Sequence, residues 1–184
     1  MVADERKIFY MYDEIMLLHE DYDGHPEKPL RIKAIHDHLK EVGLLDQMMK
    51  LEPVPSSTNI REDGTVQYPA FETCHDEENM KEIEHIVGKI EERDNYSDPY
   101  ESLYYCPDTF KSAKVAADSA LSAVCEVLDD DSPRERGFCI IRPPGHHAYV
   151  DHHRGFCFIN NVALAAELAA SQGKKVLIFD WDIH

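Results

Sequence analysis

Asp180, Asp182, His184, His146 and His147 are side chains of the kinds that hold metal ions and carry protons, and they crowd into the last fifth of the chain. The first three stand at every second position after the apolar run Val176 to Phe179, which itself follows a Gly173-Lys174-Lys175 break. Four apolar residues, partly β-branched, predict a buried strand of a parallel sheet. Extended backbone sends alternate side chains to one side. Open α/β sheets bind their ligands beyond the carboxyl ends of the strands. Two carboxylates and an imidazole in that place make a partial oxygen and nitrogen site suited to zinc. A solvated acidic turn would have the same short spelling.

His146 and His147 end the loop Arg142-Pro143-Pro144-Gly145, which follows a second apolar stretch, Phe138 to Ile141. Neighbouring imidazoles on a loop can share one cavity and relay protons near neutral pH. Surface histidines satisfy the same pattern, but two prolines are a costly way to fix an idle loop.

These residues need a scaffold. Strand, loop, helix (Ile159 to Ser171) and strand form a βαβ unit, which should be right-handed. Lys7 to Tyr12 reads as a first strand and Leu51 to Val54 as a short one. Pro29 opens a helix whose apolar face is Leu30, Ala34, Ile35, Leu39 and Val42, ended by Gly43. Met80, Ile83, Ile86, Val87 and Ile90 form the stripe of another, and Phe110, Ala113, Ala117, Ala120, Val124 and Val127 the buried face of a long third. Pro55 to Gly64 and Glu91 to Tyr105 read as loops. Asp129-Asp130-Asp131 before Ser132-Pro133 reads as a solvated helix end. Gly145 and Gly155 are isolated and form no phosphate-cradling loop.

The 184 residues suit one domain, and 43% hydrophobic content suits a folded one. A formal charge of −17, from 19 basic and 36 acidic residues, repels nucleic acid and favours basic partners. Five cysteines without CxxC spacing point to a reducing compartment, and Cys157, between two phenylalanines, suits a core better than a nucleophile. No apolar run approaches membrane-spanning length and Met1 to Lys7 is charged, so the expectation is a soluble intracellular protein with no membrane role.

Arg142-Pro143-Pro144-Gly145-His146-His147-Ala148, Gly155-Phe156-Cys157-Phe158-Ile159-Asn160 and Asp180-Trp181-Asp182-Ile183-His184 resemble the zinc-dependent histone deacetylase family. The Pro-Pro and Asp-Trp-Asp spellings resemble its class II branch, nearest the cytoplasmic tubulin-deacetylase type. His25-Pro26-Glu27-Lys28-Pro29-Leu30-Arg31 carries the likeness into the first third. The resemblance implies an arginase/deacetylase-like α/β fold, a mostly parallel sheet flanked by helices and incomplete at its C-terminal side. Residues 1–184 would be the amino-terminal part of one catalytic domain, cut at the metal-binding motif.

The implied reaction is hydrolysis of an acetyl-lysine amide. By resemblance Asp182 and His184 are zinc ligands, Asp180 a potassium ligand and the carboxylate that orients His146, and His147 the proton shuttle. Ser102 would accept the substrate amide N–H, Gly155 and Phe156 would wall a tunnel for the lysine methylenes, and Arg31 would lie near the floor or on the helix surface. His75 is expected to be structural; His152, His153 and Asp151 are expected to be exposed. A further zinc ligand and a tyrosine would lie beyond His184, so residues 1–184 alone are expected to be inactive and prone to aggregate. Acetylated histone tails or cytoplasmic proteins would be substrates, with corepressor-type partners and a nuclear or cytoplasmic location. An acetylpolyamine amidohydrolase and a non-catalytic domain of the same fold are the alternatives.

Overall fold

The computed structural model describes residues 7–55, 74–91, 94–98 and 100–183. Its frame is a parallel sheet of three strands, ordered β2-β1-β5: β1 (Ile8–Met11), β2 (Met49–Leu51) and β5 (Arg136–Cys139). Side-chain alternation along β1 feeds two apolar clusters. Phe9 and Met11 join Ala123 in one, while Tyr10 and Tyr12 join Met16, Ile32 and Ile140 in the other. Gly137 pairs with Phe9, and a Cβ there would come within 2.5 Å of the Phe9 ring.

Helix α1 (Leu30–Glu41) buries a different face from the one expected. Ile32 is fully buried and Leu39 partly, while Leu30 and Val42 are exposed. Between Ile32 and Leu39 lies His36, whose ring stacks on Tyr12 at 4.1 Å. An aromatic face at a histidine is invisible to an apolar periodicity.

Helix α2 (Glu77–Val87) and the long α3 (Thr109–Leu128) form as the stripes predict. α3 is buried more widely than one face, with Ala116, Ser119, Ser122 and Ala123 added to Ala113 and Ala117, whereas Val127 is exposed. Its small residues let α4 (Asn161–Ser171) and β5 approach closely. The largest cluster joins Ile83 of α2, Leu121 of α3, Leu164 and Leu168 of α4, and Phe158 and Ile159. Those last two anchor the stretch that follows Gly155.

Two further expectations fail. The stretch from Glu91 to Tyr105 is not all loop: β3 (Tyr96–Asp98) pairs antiparallel with β4 (Leu103–Tyr105). β4 is buried along its length, a sign the intervening Asp and Pro residues conceal. Val176 to Phe179 is not a buried strand. Residues 174–183 enter no ladder, and Leu177 and Phe179 are 91% and 77% exposed. A strand needs a neighbour within about 4.8 Å to pair its amides, and here a cleft of about 550 Å³ separates Ile178 and Phe179 from β5. The stretch expected as a loop from Pro55 to Gly64 lies, Pro55 apart, outside the described residues. Among the described residues no helix is long and apolar enough to cross a membrane.

Candidate active site

A second cleft, of about 480 Å³, gathers the residues singled out by their chemistry. Pro26, Glu27 and Arg31 line one side, Tyr100 to Ser102 another, and Pro144, His146, His147, Arg154, Gly155, Phe156 and Asp182 the rest.

The histidine loop is held at both ends. Behind it, Asn160 caps α4 by accepting from Ala163 N at 3.0 Å and donates from Nδ2 to Ala148 O. His75 bridges the same region: its Nδ1 donates to Tyr149 O at 2.8 Å and its Nε2 accepts from Asn160 N at 2.9 Å. That pattern requires the neutral ring, and burial lowers the His75 pKa accordingly. A Cβ on Gly145 would lie 2.5 Å from Ile159 O, so only glycine lets the loop rest on the start of α4.

His146 and His147 face each other with ring centroids 4.2 Å apart. His146 Nδ1 donates to Asp180 Oδ2 at 2.9 Å. The Asp180 carboxyl is held below its ordinary range by the Asp182 N–H and then by His146. Partial burial, then the charges of His146 and Arg154, lower the His147 pKa, favouring a neutral imidazole at pH 7.

Gly155 and Phe156 form the corner of a tight turn in which Arg154 N donates to Cys157 O and Cys157 N to Arg154 O. Both corner residues have positive φ, +55° and +70°. A Cβ on Gly155 would meet His147 Cδ2 at 2.7 Å. Across the cleft Ser102 also has positive φ, +53°, and the two segments clasp: Gly155 N donates to Glu101 O and Phe156 N to Ser102 O. Left-handed Ser and Phe each cost about 1–3 kcal/mol and persist where surroundings enforce them. Phe156 meets the His25 ring edge-on at 5.0 Å.

Residues 25–184 match the family model described as the histone deacetylase domain. This chain belongs to the histone deacetylase family. It is 36% identical over 170 residues to Histone deacetylase 6 of Caenorhabditis elegans, covering 88% of this chain and 16% of that protein. It is 33% identical over 170 residues to Polyamine deacetylase HDAC10 of Homo sapiens, covering 91% and 24%. The crystal structure of the HDA15 HD domain superposes with a TM-score of 0.75 at 25% identity, over 92% of this chain and 44% of that one. The chain thus spans a minor share of each of these relatives. Its helix-flanked parallel sheet is the arginase/deacetylase-like α/β fold, of the class II type among deacetylases.

Of the expected site residues in this deacetylase-family chain, the structure brings His146, His147, Ser102, Gly155, Phe156 and Asp182 to one cleft, with Asp180 bonded to His146. His184 lies outside the described residues. Arg31 is half-exposed, lines the cleft and donates from Nη2 to Ile141 O at 2.9 Å. Cys157 is fully buried, which pushes its thiol up to about 12 and suits a core residue. His152 is exposed as expected, but His153 is not. The His153 ring is buried, donating from Nδ1 to Asn79 Oδ1 at 2.9 Å and accepting from the Tyr105 hydroxyl. Both partners lie outside its loop, so no local pattern announced them.

Sequence reasoning also missed the ion pair beneath the cleft. Arg142, 0% exposed, donates from Nε and Nη2 to the two oxygens of Glu27, at 2.9 and 2.6 Å. Burial pulls its pKa down, but the Glu27 carboxylate outweighs this and the net shift is upward. Tyr104 accepts from Arg142 Nη2 at 2.8 Å, and its ring stacks on His19 at 4.2 Å. The available signal was an arginine between an apolar strand and Pro-Pro.

Proposed function

We propose that this chain contributes the proton-transfer half of a zinc-dependent lysine deacetylase that hydrolyses acetyl-lysine amides in histones or other proteins. The observation that carries the reading is the single cleft in which two facing imidazoles, the Asp182 carboxylate and the Gly155-Phe156 corner meet, with Asp180 bonded to His146. Among the described residues no three His, Cys, Asp or Glu side chains form a metal-holding group. Asp182 offers one oxygen donor of a kind that zinc accepts, beside the histidine pair, and His184 would supply the next. Asp180 would help hold a potassium ion. When bound, zinc would polarise the acyl oxygen and acidify the attacking water. His147, kept neutral, takes the proton of that water and returns it to the leaving lysine amine. His146, oriented through Nδ1 by Asp180, supports the charge that His147 acquires. Ser102 would accept the amide N–H, while Gly155 and Phe156 would guide the apolar lysine stem. Basic protein tails suit a chain of charge −17; corepressor-type partners and a nuclear or cytoplasmic location belong to the same proposal.

The test is deacetylation of an acetyl-lysine peptide by the zinc-loaded full natural chain and its His147→Ala variant. The expected fall in kcat is roughly 10²–10⁴-fold, and a loss below about tenfold overturns the assignment. A second reading, an acetylpolyamine hydrolase, is favoured by human and mouse relatives named polyamine deacetylase, 33% and 34% identical. The ratio of kcat/KM on acetylspermidine to that on the peptide decides between them.

A further inference from the structure

Three side chains meet at one carboxylate that lines the candidate cleft. Glu27, 6% exposed, accepts the Arg142 fork, takes a hydrogen bond from the Tyr104 hydroxyl at 3.2 Å, and lies 3.9 Å from Arg31 Nε. Arg142 Nη1 donates to Met16 O at 2.6 Å, so the guanidinium is engaged on all three nitrogens. Its backbone leads directly into the histidine loop. Between Arg142 and His146 stand two prolines, whose φ is locked, and Gly145, wedged against Ile159 O and Asn161 N. A connection so short and stiff passes any shift of the guanidinium to the imidazoles.

We propose that Glu27 is a positioning residue for the His146–His147 pair, acting through Arg142. The rate prediction rests on the deacetylase reading above; the positioning itself does not. The planar fork accepts a carboxylate on two oxygens. Glutamine keeps the size of Glu27 but turns one acceptor into a donor facing the guanidinium. Lysine at 142 keeps the charge and loses the fork.

The experiment compares Glu27→Gln, Arg142→Lys and the double variant Glu27→Gln/Arg142→Met in the zinc-loaded full natural chain. It reads kcat and KM on an acetyl-lysine peptide, the melting temperature, and the ¹⁵N imidazole resonances of His146. Glu27→Gln should lower kcat roughly 10–100-fold with KM within about twofold. The double variant removes both buried charges, so it should melt near the wild type yet keep the kcat defect. A purely structural role would restore both together. Recovery of kcat in the double variant overturns the proposal, as does a kcat per folded molecule within about threefold of wild type in all variants. Should the wild type hydrolyse neither acetyl-lysine nor acetylpolyamine, the deacetylase reading fails by itself. The His146 resonances then decide positioning: displaced with the fold retained in Glu27→Gln or the double variant supports it, and unmoved overturns it.

Discussion

Beneath the cleft lie groups sealed from water, and beside it runs a segment that water surrounds. Glu27, Arg142, Tyr104 and His19 are at most 6% exposed and hold one another through charge-assisted bonds, a hydroxyl and a ring stack. By contrast, residues 174–183 are exposed throughout, and Phe179 and Trp181 are in edge-on contact with each other at 6.3 Å. The bond from His146 Nδ1 to Asp180 Oδ2 ties that segment to the histidine loop. A buried ion pair lacks water to fall back on, so breaking one partner leaves a stranded charge. An exposed carboxylate is screened and resolvated, and its loss changes chemistry far more than stability. One cleft therefore joins a histidine pair held from a buried ion pair to an exposed carboxylate segment.

The comparison breaks most readily at Arg142. Arg142→Met should destabilise the protein by about 3–5 kcal/mol in urea unfolding, because it strips the buried Glu27 carboxylate of its two-bond guanidinium partner and leaves only Arg31 at 3.9 Å and the Tyr104 hydroxyl. The melting temperature should fall by roughly 10 °C, and a loss under about 1 kcal/mol would erase the contrast between the two regions.

A smaller effect follows from pH. Burial, then the nearby charges of Arg142 and His25, put the His19 pKa well below its ordinary value. Its contribution to stability is therefore fully present above the unfolded value of about 6.5 and is lost as pH falls from there towards the folded one. His75 and His153, also lowered by burial, act with the same sign. Melting temperature should drop between pH 7.5 and 5.5, on the order of a few degrees, with a flatter slope in His19→Asn. An unchanged slope would remove His19 from the account.

The smallest change in stability is expected at Asp180. Asp180→Asn should leave the melting temperature within about 1 °C of the wild type. On the proposed function it should nonetheless slow deacetylation by roughly tenfold or more, since His146 loses its carboxylate partner. A large loss of stability would show the exposed arm to be part of the fold.

Much of this arrangement was readable beforehand. The small-residue stripe of α3, the helix after Asn160 and the strand Ile8–Met11 follow from local periodicity, which needs no partner to be visible. The histidine pair and Asp182 stood out by type and spacing, Ser102 and Phe156 through the family resemblance, and all of them line one cleft. What escaped were facts about partners. An apolar run such as Val176 to Phe179 records a preference for burial, but a free edge must come close enough to satisfy it. His36 on Tyr12 and His153 between Asn79 and Tyr105 are aromatic and polar contacts across 24 or more residues. The left-handed Phe156 and Ser102 carry residue types that do not advertise that backbone.

By itself the sequence determined the helices, the glycine corners and the set of side chains able to hold a metal or carry a proton, because these depend on neighbours a few residues away. Only the tertiary structure decided that Glu27 and Arg142, 115 positions apart, share two hydrogen bonds under the cleft. It also decided that the carboxylate arm stays in water. The physical reason is that the cost of a buried charge, and the worth of an exposed one, depend on what surrounds it in space, which residue order does not encode locally.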